Sequence, residues 1–578
     1  MVVHDHVDDA GSGRLPDPAQ VPCPWRDSYS PEVPTTYPYP PVPLTRLLDD
    51  AAIDFPHNEA VRFRGASVTY RQLLDRVDRF ASALASLGAG QGERIGVLLP
   101  NCPQHVVAVL AAWRLGAIVV EINPGHDEEQ LAHQLSDASC RVVVCLDSAY
   151  PRLAQIADRT PSITEVIVTG LHNALPFPKN RLVALRGRWD ATSHKIVADA
   201  PAWRLDDLIK QSPPAPPPVE IDPVEDVAVL LYTGGTGGSR TATMLTHANV
   251  VANAFQVRLW LPDIRTGAEN VLCGVPLFHA YGMITGLGLG LLSAATLTLQ
   301  SDVDAATTLA TINKHRPTIL PGTPALYLAL SEAEDVDAHD LSSLRVLLSW
   351  GAPLGVEVAT AVERLTGARL RQGYGLTEAG AVTHANPVSG KAKAGSVGVP
   401  LPDTVCTLRD VDDPRRPAPQ GEPGELAIAG PQVMAGYWNR PADTAATLVD
   451  GWLLTGDLAT VDDEGYFSIV GRKQELIPVG DRSVYPSEVE AVLCQHPAVG
   501  QAAVAGVPDE CRGHKVKAYV VCHQGAEVTD DEILAFVAQQ LAPYKLPRHI
   551  EFRAELPRDV AGRTLRRQLS AETDRAAA

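Results

Sequence analysis

The sequence predicts an α/β protein with a large N-terminal domain on parallel-rich sheets and a small α+β domain at the C-terminal end. Short apolar runs alternate with helix-periodic segments along most of the chain, a pattern typical of parallel sheets. At 578 residues and 45% hydrophobic content, the chain is long enough for several subdomains with large cores. After residue 472 a further set of strand and helix patterns covers about a hundred residues, a common size for one domain.

The individual elements follow in chain order. Residues 1–43 are rich in proline, which disfavours regular structure, so we expect regular structure from residue 44. A helix that ends near Gly88 is predicted by apolar residues at helical spacing, namely Tyr70, Leu73, Leu74, Val77, Phe80, Ala81 and Leu84. An apolar helix is predicted at residues 106–115. Buried strands are predicted at residues 95–99, 142–145, 166–168 and 227–231.

Residues 283–299 carry no charge and approach the length that spans a membrane. They are rich in glycine, serine and threonine, so we interpret them as a buried core element. A domain boundary near residues 471–475 divides the chain into residues 44–472 and 473–578. In the second part the sequence predicts a helix that starts near Pro486, strands at residues 502–507 and 516–522, and a helix at residues 530–541.

Composition excludes several classes of protein. The formal net charge is -19, which argues against a nucleic-acid partner. The nine cysteines form no C-x-x-C pair, so neither a zinc site nor a disulfide framework is predicted. No secretory signal is visible at the N-terminus, and we expect a cytoplasmic protein without an integral membrane segment.

The glycine-rich stretch Tyr232–Ser239 lies between the predicted strand at residues 227–231 and a helix that Thr246 can cap. Glycines let backbone N–H groups approach an anion, and threonine hydroxyls add donors, so the loop is suited to phosphate. The Walker spacing is absent, and a tight surface turn is the alternative for such a loop taken alone.

The pattern Tyr-Thr-x-Gly-Thr-x-Gly, with Leu-Thr-His beyond it, resembles the phosphate-loop signature of adenylate-forming enzymes: acyl-CoA synthetases, peptide-synthetase adenylation domains and luciferases. The resemblance runs from about Leu44 to Arg567. It implies that the loop binds the phosphates of ATP, with Thr233 also contacting magnesium. The loop residues so assigned are Thr233, Gly234, Gly235, Thr236, Gly237 and Gly238.

Further motifs occur in the order of that family. Residues 373–378 (Gly-Tyr-Gly-Leu-Thr-Glu) match the segment in which Tyr374 and Gly375 contact adenine, Thr377 binds the α-phosphate and Glu378 ligates Mg²⁺. A carboxylate suits that hard cation. Residues 349–353 resemble the adenine loop, to which Gly351, Ala352 and Pro353 belong.

The ribose is assigned by resemblance to Asp457, in Trp-Leu-Leu-Thr-Gly-Asp, and to Arg472. A carboxylate can accept both hydroxyls of a vicinal diol. His279, in Pro-Leu-Phe-His-Ala-Tyr-Gly, resembles the gate between acyl pocket and thiol tunnel, although a lone histidine in an apolar run is more often a core residue. Residues 115–124, followed by residues 129–134, resemble the fatty-acyl-CoA ligase branch.

The resemblance implies that an oxyanion attacks the α-phosphorus of ATP, pyrophosphate leaves, and a mobile C-terminal domain rotates before a thiol takes the acyl group. Three positions depart from the family pattern. Thr241 stands at the usual lysine of the phosphate loop, Arg563 replaces the C-terminal lysine, and Gln474 occupies the hinge. Arg563 retains the charge and suits a small bidentate oxyanion.

The leading hypothesis is an ATP-dependent ligase that activates a fatty or aryl acid as an acyl-adenylate, using ATP, Mg²⁺ and coenzyme A. Thr377, Glu378, Arg563 and His279 are its candidate catalytic residues, and its partner is a small-molecule acid or oxyanion. A carrier-protein thiol is an alternative acceptor. One competing hypothesis is a diazotase that activates nitrite to diazotise an aromatic amine. Another is a non-catalytic nucleotide-binding relative.

Overall fold

The computed structural model describes residues 17–175, 202–233, 241–479, 482–509, 513–523, 525–526, 528–558, 564–566 and 568–570. In these ranges the longer helices are Thr45–Asp54, Tyr70–Ser86, Pro103–Arg114, Glu128–Asp137, His247–Trp260, Ala305–His315, Pro324–Ser331, Val356–Thr366, Pro486–Leu493 and Asp530–Val537. Shorter helices are Tyr150–Gln155, Leu205–Gln211 and Pro441–Thr447.

One sheet, here sheet A, lies at the centre of the N-terminal part. Its strands, in spatial order, are Val399–Pro400, His384–Ala385, Arg369–Tyr374, Val346–Ser349, Ile319–Gly322, Asn270–Cys273, Thr296–Leu299, Glu59–Phe63 and Ala66–Thr69. The central strands are parallel and the strands at both edges are antiparallel. The carboxyl ends of the central strands therefore meet at one edge.

A second sheet, sheet B, carries the glycine-rich loop. Its strands, in spatial order, are Gly436–Tyr437, Thr241–Thr246, Val227–Thr233, Ile118–Glu121, Arg94–Leu98, Val142–Leu146, Glu165–Thr169 and Ala202–Arg204. Val227–Thr233 and Thr241–Thr246 form an antiparallel hairpin, whereas the strands from Val227–Thr233 to Ala202–Arg204 pair in parallel. The two large sheets confirm the predicted parallel-rich α/β fold.

Two smaller sheets follow in the chain. Sheet C contains the strands Val405–Arg409, Gly424–Ala429, Trp452–Val461, Leu448–Val449 and Phe467–Arg472. Sheet D contains Arg482–Val484, Ile477–Val479, Gly513–Cys522, Val499–Asp509 and His549–Phe552. Sheet D packs with Pro486–Leu493 and Asp530–Val537 around a hydrophobic core of its own, which confirms a small α+β unit at the C-terminal end.

Local sequence explains where elements begin. The helix Tyr70–Ser86 starts at a capping box of Thr69 and Gln72 and buries the apolar face that its periodicity predicted. The helix His247–Trp260 starts at a second capping box, formed by Thr246, as predicted. The last predicted helix is shorter than expected: it ends at Val537 and not at residue 541.

The uncharged residues 283–299 lie in the core, as predicted. They continue a helical segment that begins at Ala280, passes through a π-helical turn at Met283–Gly288, ends with Leu289–Leu292 and is followed by the strand Thr296–Leu299. Among the described residues, no helix is both long and apolar enough to cross a membrane.

The described part of the proline-rich N-terminal segment packs on the body of the protein. The Trp25 ring lies 6.0 Å from the Phe467 ring in an edge-to-face arrangement. The Tyr29 hydroxyl donates to the carbonyl of Pro400 at 2.6 Å. This segment therefore covers the region where sheets A and C meet.

Candidate active site

Three neighbouring strands of sheet A end side by side, and the region outside their carboxyl ends is here called the crevice. Ile319–Gly322, Val346–Ser349 and Arg369–Tyr374 are parallel and in register, with Gly322 opposite Ser349 and Ser349 opposite Gln372. In open α/β sheets, ligands bind outside the carboxyl ends of strands. The predicted adenine loop, Gly351–Pro353, follows the middle strand, and Gly351 takes a left-handed φ of 97° there.

Tyr374, Asp457 and Arg472 meet in one polar network. The Tyr374 hydroxyl donates to Asp457 Oδ2 at 2.6 Å, and Arg472 Nε lies 3.0 Å from Asp457 Oδ1. Asp457 and Arg472 are partners in antiparallel strands of sheet C, and the Asp457 residue is 5% exposed. The negative charge of the Asp457 carboxylate raises the pKa of Arg472. The structure therefore brings together three residues that are 15 or more positions apart in sequence.

The turn after Tyr374 is fixed by close backbone packing. A Cβ atom on Gly375 would lie 1.6 Å from the carbonyl oxygen of Ala381, so only glycine fits. Asn253, on the helix His247–Trp260, accepts from the Val382 N–H at 3.1 Å and donates to the Val382 carbonyl at 2.7 Å. This clamp positions the short 3₁₀ turn Thr377–Ala379, which carries Thr377 and Glu378.

Glu378 is linked to the hairpin that flanks the glycine-rich loop. Tyr437 donates its hydroxyl to Glu378 Oε1 at 3.1 Å, and the Met434 N–H donates to the Glu378 carbonyl at 2.9 Å. Tyr437 pairs in turn with Thr243 of the hairpin. Burial raises the pKa of Glu378, and the Tyr437 hydroxyl and Arg472 oppose that rise.

Thr233 and Thr241 close the described end of that hairpin. They are register partners, and their hydroxyl oxygens lie 3.3 Å apart. The predicted phosphate-binding residues Gly234, Gly235, Thr236, Gly237 and Gly238 lie outside the described residues, as does Arg563. The strand that begins at Thr241 pairs with the strand that carries Tyr437, so this hairpin lies next to Glu378.

His279 immediately precedes the helical segment Ala280–Leu292, on the same side of sheet A. The side chain of Asn101 holds the preceding chain: its Nδ2 donates to the Cys273 and Val275 carbonyls at 3.1 and 2.9 Å, and its Oδ1 accepts from the Leu277 N–H at 2.7 Å. The His279 ring contacts Phe278, with ring centres 4.8 Å apart. His279 is therefore positioned near the crevice.

The donor set at Glu378 fits one hard cation shared with a phosphate. The described part of the chain contains no group of three or more His, Cys, Asp or Glu side chains that could hold a metal. Mg²⁺ is commonly bound by one or two carboxylates together with substrate phosphates and water. Glu378 is a half-buried carboxylate beside the phosphate-loop hairpin, so its chemistry agrees with that mode.

Sequence reasoning missed several residues that build this site. Tyr437 joins Glu378 to the hairpin, while Asn253 and Asn101 clamp the loops around Glu378 and His279. Tyr437 lies on a strand of two residues, which gives no periodic signal. The two asparagines stand in apolar surroundings, and a polar residue in a buried helix is the signal that could have found Asn253.

Comparison with known proteins shows which family the sequence matches. The family described as AMP-binding enzyme matches residues 48–438, and the AMP-binding enzyme C-terminal domain matches residues 488–563. A long-chain-fatty-acid–CoA ligase from Bacillus subtilis is 40% identical over 556 residues, covering 95% of this chain and 98% of the relative.

Two solved structures have similar folds. The anthranilate CoA ligase AuaEII in complex with anthranoyl-AMP aligns with a TM-score of 0.79 at 26% identity, covering 94% of this chain and 99% of that chain. ATP-bound MatB from Rhodopseudomonas palustris aligns with a TM-score of 0.80 at 26% identity, covering 93% and 99%.

Proposed function

The chain belongs to the AMP-binding enzyme family, and we propose that the crevice at the carboxyl edge of sheet A is its adenylation site. The protein is an ATP-dependent ligase that activates a carboxylic acid as an acyl-adenylate and passes the acyl group to coenzyme A. It uses ATP, Mg²⁺ and coenzyme A.

The observation that carries the site proposal is the contact chain Tyr374–Asp457–Arg472. We assign Asp457 to the ribose hydroxyls, because a carboxylate held by a hydroxyl and a guanidinium still has lone pairs for a diol. Arg472 pairs with Oδ1 of that carboxylate at 3.0 Å. Tyr374, Gly375 and the loop Gly351–Pro353 form the adenine side.

The phosphate side of the site consists of Thr233, Thr377 and Glu378, together with the glycine-rich loop. When bound, Mg²⁺ would offset the charge that develops on the phosphates as pyrophosphate leaves. Thr377 donates its hydroxyl to the α-phosphate in this assignment. Glu378 must be ionised to serve as a metal ligand, and the Tyr437 hydroxyl and Arg472 both favour that ionised form.

His279 and Arg563 are proposed on the acid side of the reaction. His279 would border the path between the acid and the thiol, because it precedes the helical segment that forms one wall of the crevice. Arg563 would pair with the acid oxyanion and the α-phosphate. Residues 473–578 are proposed as a mobile domain that changes position between the two half-reactions.

The relatives differ in what they act on, since their names specify long-chain fatty acids in one case and anthranilate in another. Fatty and aryl acids are therefore the substrate classes to test first. A carrier-protein thiol remains an alternative acceptor to coenzyme A. Because ATP and coenzyme A are cytoplasmic metabolites, we also propose that the protein acts in the cytoplasm.

The direct test is ATP–pyrophosphate exchange with fatty acids, aryl acids and nitrite, followed by thioester formation with coenzyme A. Acid-dependent exchange and an acyl-CoA product are expected. AMP release only with nitrite plus an arylamine would favour the diazotase hypothesis. ATP binding without turnover for any substrate would favour a nucleotide sensor.

Glu378→Gln separates the proposed metal site from general effects. Loss of a charge-assisted contact of about 1.5–3 kcal/mol should raise the Mg²⁺ concentration for half-maximal exchange by about tenfold or more. Glu464→Gln is the matched control, because Glu464 lies in an exposed turn and pairs with Lys391 at 2.7 Å. An unchanged Mg²⁺ requirement in Glu378→Gln would remove Glu378 from the metal site.

A further inference from the structure

Two aromatic side chains fill the part of the crevice that faces the helical segment Ala280–Leu292. The rings of Tyr281 and Trp350 lie 5.3 Å apart at an angle of 46°. Trp350 directly follows the strand Val346–Ser349 and is 4% exposed. Tyr281 comes two residues after His279, so the pair lies between His279 and the adenine loop.

Both rings are fixed against the strand ends. The Tyr281 hydroxyl lies within hydrogen-bonding distance of two carbonyls, that of Leu348 at 3.0 Å and that of Gly322 at 3.3 Å. A Cβ atom on Gly373 would lie 2.2 Å from the indole nitrogen of Trp350, so the indole covers the strand that leads to Tyr374. The two side chains thus span all three strand ends at this edge.

The helical segment leaves little space beside these rings. Three of its glycines, each four residues from the next, pack against the strands of sheet A and the chain beside them. A Cβ atom would lie 2.1 Å from the Pro276 carbonyl oxygen at Gly282, 2.9 Å from Leu277 at Gly286 and 2.3 Å from Leu297 at Gly290. A methyl group at these points would overlap a neighbouring atom, so the segment lies directly against its neighbours there and leaves no gap for an alkyl chain at these three positions.

The same place contains polar atoms without partners. The Trp350 Nε1 and Ser349 Oγ atoms are buried and make no hydrogen bond with any described residue. Burial of an unpaired N–H group is unfavourable, and an alkyl chain would not relieve it. An oxygen acceptor on a small substrate would pair with the Trp350 N–H group.

We propose that Trp350 and Tyr281 restrict this enzyme to small oxyanion substrates, namely carboxylates of up to about four carbons or an inorganic oxyanion of similar size. The inference rests on the proposed function, because it takes the oxyanion to attack beside Thr377 and Glu378. One oxygen of the substrate then forms a bond to the α-phosphorus of ATP. The bond to the bridging oxygen breaks, and its electron pair leaves with pyrophosphate. The substituent of the acid must occupy the space that Trp350 and Tyr281 leave.

The first experiment measures kcat/KM in ATP–pyrophosphate exchange with acetate, butyrate, nitrite, benzoate, octanoate and palmitate. For the wild type, we expect a small oxyanion to be preferred over octanoate and palmitate by at least about a hundredfold. This ratio follows from discrimination of about ten- to two-hundredfold for a single methylene in a closed pocket. Comparison of nitrite with acetate and butyrate identifies the source of the oxyanion.

Trp350→Gly tests the residue itself. We expect the octanoate-to-acetate ratio of kcat/KM to rise by at least about tenfold, whereas a merely structural role would lower both values together. Trp350→Phe keeps most of the ring volume but removes the N–H group, so it should weaken acetate activation and retain the size preference. Trp203→Gly is the matched control. Trp203 is an exposed tryptophan on the edge of sheet B, bonded to Glu165, and its loss should leave the ratio unchanged.

A binding measurement on the wild type does not depend on how the variants fold. Calorimetry with 5′-O-(N-acylsulfamoyl)adenosines should show at least about a hundredfold tighter binding for the acetyl than for the palmitoyl compound. Preference for palmitate, octanoate or benzoate, or an unchanged ratio in a folded Trp350→Gly, would overturn this inference but leave the ligase function intact. Absence of exchange with every probe would overturn both.

Discussion

Asp457→Asn is the sharpest test of how the site holds its nucleotide. The wild-type carboxylate accepts from the Tyr374 hydroxyl at 2.6 Å and from Arg472 Nε at 3.0 Å, one donor on each oxygen. An asparagine presents one acceptor oxygen and one donor NH₂ group, so one of these partners would face another donor. A hydrogen bond to a charged group contributes about 1.5–3 kcal/mol, which corresponds to roughly a ten- to hundredfold loss in kcat/KM for ATP.

The assay compares ATP with 2′-deoxy-ATP in pyrophosphate exchange. If Asp457 binds both ribose hydroxyls, the wild type should prefer ATP by about tenfold or more, because 2′-deoxy-ATP lacks one of two charge-assisted bonds. In Asp457→Asn the preference should fall to within about threefold, since the carboxylate that reads the 2′-hydroxyl has gone. The ratio of the two nucleotides cancels any general loss of active protein.

Asp462→Asn is the matched control. Asp462 follows the same strand of sheet C, but its carboxylate is partly exposed and pairs with Lys393 near the surface. Surface ion pairs contribute about 0–1 kcal/mol, so this variant should keep both the ATP rate and the preference. Retention of the full wild-type preference for ATP by Asp457→Asn would refute the assignment of Asp457 to the ribose.

Two further predictions concern the support of the site. Gly375→Ala should destabilise the protein by about 1–3 kcal/mol or more and abolish exchange, because its Cβ would meet the backbone of Ala381 at 1.6 Å. Gly90→Ala, where no atom lies within 4 Å, should be neutral in thermal melting, and equal melting temperatures for both variants would contradict the argument. Burial lowers the pKa of His247 from 6.5 to about 4, so stability should be lost as the pH falls through that window, by about 2 kcal/mol between pH 6.5 and 5. Urea unfolding should show this loss reduced in His247→Gln, and an identical pH dependence in the two proteins would contradict it.

Local chemistry made much of the fold predictable. The helix Tyr70–Ser86 has both a capping box and an apolar face, and these two signals agree. The buried strands of sheet B are continuous apolar runs, as expected for strands covered on both faces. Thr246 caps a helix because its side chain accepts a local N–H, which depends on residues only three positions away.

The parts of the site that escaped prediction depend on distant pairings. Tyr437 reaches Glu378 because Gly436–Tyr437 pairs with the hairpin strand Thr241–Thr246, almost two hundred positions earlier in the chain. Trp350 and Tyr281 meet only because two strand ends and one helical segment converge. Such contacts are set by sheet topology, and no local period in the sequence encodes them.

The junction between the two parts of the protein is formed by neighbouring residues in the chain that pair with distant ones. Lys473 Nζ lies 2.8 Å from Glu425 Oε2 of sheet C, which ties it to the N-terminal part. Glu475, two residues later, pairs with Arg566 at 2.6 Å, and Arg566 also pairs with Glu490. Lys473 is therefore paired with the N-terminal part and Glu475 with the C-terminal part. A rotation between the parts would be confined to the few peptide units around Gln474, which lies between them. Arg472 precedes this pivot directly and binds Asp457, which means that any such rotation would start next to the proposed ribose contact.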